Sequence, residues 1–203
     1  TPNGTWESKF VDREEGSINE CTVVEYGKNG VMLNVRPKNI FSRRVFYINQ
    51  ISEGDNPDDL RWHNHYSDKS FSEHGKHNQA SMLNVTYNGE QFYLLSASDA
   101  RETHNRNYVC IFVSFDDAEH FYPLLYMDEK SGDGYSNMTF YNNKLMMVYE
   151  HNPNIIDFID LTDMLPFMTL FKNRVKNMTD DDVLLLNARR NLFNVSSTAI
   201  NNF

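Results

Sequence analysis

Short apolar stretches recur along this chain in pairs, each pair separated by a turn signal, and that recurrence restricts the fold more than any other feature. Cys21-Thr-Val-Val-Glu-Tyr26 and Val31-Met-Leu-Asn-Val-Arg36 flank Gly27-Lys-Asn-Gly30. Ser81–Tyr87 and Gln91–Ser96 flank Asn88-Gly-Glu90, and Met138–Tyr141 and Lys144–Tyr149 flank Asn142-Asn143. Asn107–Ser114 and Ile155–Ile159 read as single strands. β-Branched and aromatic runs around Asn and Gly predict antiparallel hairpins, because those two residues reach the left-handed backbone that tight hairpin turns require. Several hairpins at this spacing predict an all-β meander, a propeller or a sandwich. Read as a propeller, the chain holds about three blades; that arc cannot close on itself and needs a partner segment.

Two regions break the rhythm. Ser52–Asp59 is a loop by composition. The polar stretch from His63 to His77 carries four histidines, but without a closed ligand set at defined spacing it reads as a solvated loop and not a metal site. In the tail, Thr179 followed by three aspartates predicts a capped helix over 180–192. This divides the chain into a β region, 1–167, and a C-terminal extension, 168–203.

A net charge of −9 argues against a general binder of nucleic acid or anionic membrane. It leaves room for a small anionic ligand held by a local arginine cluster. The two cysteines, Cys21 and Cys110, are too few for a disulfide scaffold; they pair with each other, pair elsewhere, or stay free. No apolar run approaches the ~20 residues of a membrane helix. Five N-x-S/T sequons, at Asn3, Asn84, Asn137, Asn177 and Asn194, favour the secretory pathway. No signal peptide is present and Thr1 is a poor start for a nascent chain, so the sequence reads as a processed fragment with an upstream piece missing.

Ser114-Phe-Asp116-Asp-Ala118-Glu-His120-Phe121 has the pitch of the Asp box, S-x-D-x-G-x-T-W, with Ala and His in place of Gly and Thr. Arg106 opens the strand leading into it. Ser131-Gly-Asp-Gly-Tyr135-Ser136 is followed by Leu145-Met-Met-Val-Tyr149-Glu150, while Asn19-Glu20-Cys21 precedes Asn34-Val-Arg36. Together these resemble the sialidase family. The order is more specific than any piece: Glu20, Arg36 after 16 residues, Arg106 after 70 more and Tyr135 after 29, with the Asp box between the last two. The Glu20-Cys21 and Arg106 stretches look most like the animal lysosomal-type members.

The resemblance implies the C-terminal half of a six-bladed β-propeller acting on sialylated glycoconjugates without a cofactor or metal. It implies Tyr135 as nucleophile, Glu20 as its base, and Arg36 and Arg106 as clamps on the substrate carboxylate. Sialic acid carries a carboxylate on its anomeric carbon, so a neutral phenol approaches where a carboxylate nucleophile would be repelled; sialidases are the tyrosine exception among glycosidases. A free phenol ionises only near pH ~10, so it needs a base within reach. Arginine supplies a planar, permanently charged fork for a carboxylate. The family's acid aspartate and third arginine have no counterpart here, so the resemblance implies an upstream half, as a separate associated chain, that supplies them. Gln79 and Ser81 stand where the family has a Gln-Gly-Ser segment and read as supporting residues. Hydrolase, trans-sialidase and non-catalytic glycan- or protein-binding propeller remain open, as do the lysosome and the extracellular space.

Overall fold

The computed structural model describes residues 18–27, 30–37, 45–50, 63–65, 79–98, 109–127, 135–152, 155–179 and 182. Among the described residues, eleven strands form three antiparallel sheets. The first sheet holds β1 (Ile18–Tyr26), β2 (Gly30–Pro37), β3 (Val45–Gln50) and β4 (His63–His65) in sequential order. The second holds β5 (Ser81–Tyr87), β6 (Glu90–Ser98), β7 (Val109–Ser114) and β8 (Tyr122–Tyr126). The third holds β9 (Ser136–Tyr141), β10 (Lys144–Asn152) and β11 (Ile155–Asp160).

Each sheet is a meander, and β5 packs against both β1 and β9. The first strands of successive sheets are therefore neighbours, which is the arrangement of propeller blades around an axis. The expected all-β architecture, about three blades of a propeller, is what the chain forms.

The turns follow from local chemistry. Asn88 and Gly89 lie at φ 51° and 79°, and Asn142 and Asn143 at 50° and 58°. Both pairs join strands with no other residue between Tyr87 and Glu90 or Tyr141 and Lys144. Positive φ at both central positions matches the twist of the flanking strands.

The middle sheet is covered on both faces. Phe92, Leu94, Val109, Ile111 and Val113 join Met138, Leu145 and Met147 of the third sheet in one cluster. The alternating residues Tyr93, Leu95, Ala97, Cys110 and Phe112 join Val24 and Met32 of the first sheet in another. Period-two alternation alone would leave one face polar; burial on both sides explains the unbroken apolar run of β7.

Three strands go beyond the sequence reading. β3 and β8 extend their sheets, and His63–His65 form the edge strand β4 where a loop was expected. β8 carries Pro123 opposite Phe112, where the register of β7 shifts. A proline without an N–H is tolerated at such an edge and bulge.

The β7–β8 turn is held by its own side chains. Ser114 Oγ donates to Asp116 Oδ1 (2.9 Å) and accepts from Ala118 N (3.0 Å). Asp116 Oδ1 accepts from His120 N (3.0 Å), and Asp116 Oδ2 lies 2.6 Å from His120 Nδ1. Phe121 then enters the core fully buried.

The tail contains a helix earlier than the sequence suggests. A 3-10 turn, Thr162–Phe167, leads into α1, Met168–Val175. Met168, Phe171 and Val175 share the core cluster of the second and third sheets. Further on, Thr179 Oγ1 accepts from Asp182 N (3.2 Å), while Asp182 Oδ2 accepts from Thr179 N (2.9 Å). This reciprocal pair of bonds has the pattern of a helix cap; apart from Asp182, the expected 180–192 helix lies outside the described residues. Among the described residues no helix is long and apolar enough to cross a membrane.

Candidate active site

Glu20 owes its position to a bulge. In the β1–β2 ladder Asn19 pairs with Arg36 and Cys21 with Val35, so Glu20 is the extra residue. Its φ is 30°, a left-handed conformation that a non-glycine residue holds only under constraint. An inserted residue re-aims a side chain relative to strict alternation. Here the carboxylate meets Arg36, near the end of the same ladder.

Tyr135 reaches the pair from the third sheet, immediately before β9. Its hydroxyl donates to Glu20 Oε1 at 3.0 Å. Arg36 Nη1 donates to Glu20 Oε2 at 2.7 Å and lies 3.4 Å from the Tyr135 hydroxyl. The Glu150 N–H anchors the Tyr135 carbonyl at 2.8 Å. Two residues of one hairpin and a third from a distant sheet thus form a closed triangle. Glu20 keeps 34% and Arg36 18% of side-chain surface exposed, so the cluster is open to a ligand.

Burial works to lower the pKa of Arg36, but the hydrogen bond and charge of Glu20, aided by Tyr135, outweigh it. The guanidinium is held more firmly protonated than usual. Its Nε is buried and has no acceptor among the described residues.

Of the residues expected in the site, Glu20, Arg36 and Tyr135 converge. Arg106 lies outside the described residues. Ser81 is buried at the start of β5 and bonds to β9. Among the sequons, Asn137 and Asn177 are exposed, whereas Asn84 is half-buried and its Nδ2 donates to the Glu25 carbonyl at 3.0 Å; Asn3 and Asn194 lie outside the described residues. Cys21 is exposed, Cys110 is buried, and they are not bonded to each other. No group of three His, Cys, Asp or Glu residues among the described residues is arranged to hold a metal ion.

The fold is that of a partial β-propeller of the sialidase type. It is similar to Trypanosoma rangeli sialidase, with TM-score 0.63 and 19% identity over 86% of this chain and 28% of that one. The same sialidase in complex with 2,3-difluorosialic acid, a covalent intermediate, gives TM-score 0.65 at 19% identity, over 86% of this chain and 28% of that one. The NanB sialidase of Streptococcus pneumoniae gives 0.54 at 17% identity, over 78% and 25% respectively. The chain therefore spans little more than a quarter of the solved structures it resembles. No protein-family model and no curated protein matches it.

Proposed function

We propose that the chain is the C-terminal half of a retaining exo-α-sialidase that removes terminal sialic acid from glycoconjugates. The observation that carries this reading is the contact of the Tyr135 hydroxyl with Glu20 at 3.0 Å. A phenol within hydrogen-bond reach of a carboxylate is an activated nucleophile.

In the first step Tyr135 Oη attacks the anomeric carbon as its proton passes to Glu20. The bond to the aglycone oxygen breaks, and that oxygen takes a proton from an acid contributed by an upstream segment. In the second step water attacks the anomeric carbon, losing its proton to the acid's conjugate base. The tyrosine leaves and recovers its proton from Glu20. Two displacements return the original configuration.

Arg36, with Arg106, would bind the sugar carboxylate, and the partly exposed guanidinium of Arg36 beside the Tyr135 hydroxyl supports that role. The upstream half, supplying the acid aspartate and a further arginine, would be an associated chain. The Ser114–Phe121 turn is read as a degenerate Asp box, and the sequons as marks of a secreted or lysosomal glycoprotein.

The experiment is covalent trapping. The protein, with its upstream segment, is incubated with 2,3-difluorosialic acid and mapped by peptide mass spectrometry. A fluorosialyl adduct on Tyr135 is the expected result. A folded protein that gives no adduct and releases no sialic acid from a fluorogenic sialoside would instead support a binding propeller. Transfer to an added galactoside in preference to water would identify a trans-sialidase.

A further inference from the structure

Glu20 and Arg36 stand on the first sheet and Tyr135 on the third, with β5 of the second sheet packed between their strands. The distance between nucleophile and base thus depends on how two sheets are set against a third. Apolar packing is non-directional and specifies such an offset poorly. Directional bonds specify it, and two sets of them flank the strands that carry the site.

On the first-sheet side, Asn34 Nδ2 donates to Thr22 Oγ1 (3.0 Å) and to the Ala80 carbonyl (3.4 Å), which Thr22 Oγ1 also approaches (3.3 Å). Thr22 lies two residues from Glu20, and Asn34 two from Arg36. On the third-sheet side, Ser81 Oγ accepts from Met138 N (3.0 Å) and donates to Asn137 Oδ1 (3.1 Å). Ser96, paired with Ser81 in the β5–β6 ladder, shares a 2.7 Å bond with Ser136 Oγ. Ser81, Ser96 and Ser136 are all buried, Ser96 completely. Ser136 directly follows Tyr135.

We infer that Ser81 and Ser96 are positioning residues for Tyr135: they grip the first residues of β9 and set the phenol at hydrogen-bond distance from Glu20. Ala80 and Ser81, adjacent in sequence, face the two flanking sheets and gauge them against one strand. The inference deepens the reading of Tyr135 as nucleophile and rests on it for its kinetic consequence. The structural consequence stands apart from any activity.

The test uses the protein with its upstream segment, labelled with 13Cζ-tyrosine; the Tyr135 resonance is identified by its loss in Tyr135→Phe. Glu20→Gln gives the shift that marks an altered Tyr135–Glu20 bond. Ser81→Ala and Ser96→Ala should move the resonance at least half as far, whereas Val85→Ala, a core variant that only destabilises, should leave it in place. With a sialoside, kcat should fall roughly 10- to 100-fold at nearly constant KM, the scale of an ångström-level misplacement. Ser81→Thr, which retains the hydroxyl, should restore both readouts. A resonance unmoved in folded Ser81→Ala and Ser96→Ala, or moved equally by Val85→Ala, overturns the inference. If the wild type lacks sialidase activity, the functional reading fails while the resonance still decides the positioning role.

Discussion

Tyr135 and Glu20 are 115 residues apart in sequence and 3.0 Å apart at their oxygens. The phenol enters from the third blade and the carboxylate from a bulge in the first. Arg36 closes the triangle and neutralises the carboxylate it touches. The carboxylate is held between a cation and a phenol, and the short ion pair to Arg36 fixes its orientation.

Removing the phenolic oxygen should abolish turnover while leaving the fold intact. Tyr135→Phe is expected to lower kcat on a fluorogenic sialoside by at least ~100-fold, and Glu20→Gln by ~100- to 10,000-fold, the range for loss of a general base. Melting curves run alongside should stay within a few degrees of wild type. Full activity in Tyr135→Phe would end the nucleophile assignment.

Arg36→Lys preserves charge and loses the planar fork. A charge-assisted hydrogen bond contributes about 1.5–3 kcal/mol, so kcat/KM should drop roughly 10- to 100-fold. Arg36→Ala should cost more, because it also releases Glu20. Steady-state kinetics on both variants measures this; equal, unchanged values would remove Arg36 from the site.

Burial raises the pKa of Tyr93, against the bond it accepts from Gly27 N–H, and Asp117 adds to the rise; burial and Asp117 also raise Tyr26. The folded state therefore holds these protons more tightly than the unfolded chain. Their contribution is complete below the unfolded phenol value near pH ~10 and declines as pH rises through the folded values. Thermal melts from pH 8 to 11 should show falling stability at the alkaline end. Tyr93→Phe should flatten that fall, at the expense of the 3.2 Å bond from Gly27. An alkaline limb unchanged in Tyr93→Phe would show that other groups control it.

The β7–β8 turn should be a weak point. Asp116→Ala removes the acceptor shared by Ser114, His120 N and the His120 ring. A loss of about 1–3 kcal/mol is expected from the stranded polar groups. Phe121→Ala, in a fully buried site, should cost about 3–5 kcal/mol. Denaturant titration orders the two; a larger loss for Asp116→Ala would show that the turn, not the core beneath it, dominates.

Produced in a secretory host, the protein should carry glycan at exposed Asn177 and lack it at Asn84. The Asn84 side chain is engaged at the seam between the first and second sheets, with Nδ2 on Glu25 and Oδ1 accepting from Gln91. Glycopeptide mass spectrometry reads both sites. Full occupancy of Asn84 in folded protein would contradict the seam.

The hairpins could be read from sequence because their information is local. Asn88-Gly89 and Asn142-Asn143 adopt the positive φ that their side chains tolerate, and apolar residues on either side complete the signal. β3 lacked a neighbouring two-residue turn, and β8 contains Pro123, so neither carried that signal. The helix α1 was hidden by its mixed composition: Phe167 and Leu170 remain exposed while Phe171 is buried, so no clear apolar stripe shows.

The site was legible only through resemblance. Nothing local distinguishes Glu20 from an ordinary strand carboxylate, or Tyr135 from a packed turn aromatic. Ser96 gave no signal at all, since its partner lies forty residues away and serine is common in strands.

The sequence by itself determined the β-rich meander and its hairpin turns, because backbone preferences and side-chain alternation act over a few residues. Only the tertiary structure decided that the middle sheet is buried on both faces, that a bulge turns Glu20 toward Arg36, and that Tyr135 meets them across an intervening strand. Those outcomes depend on the offset between separately folded sheets, which is set by contacts between residues far apart in the chain.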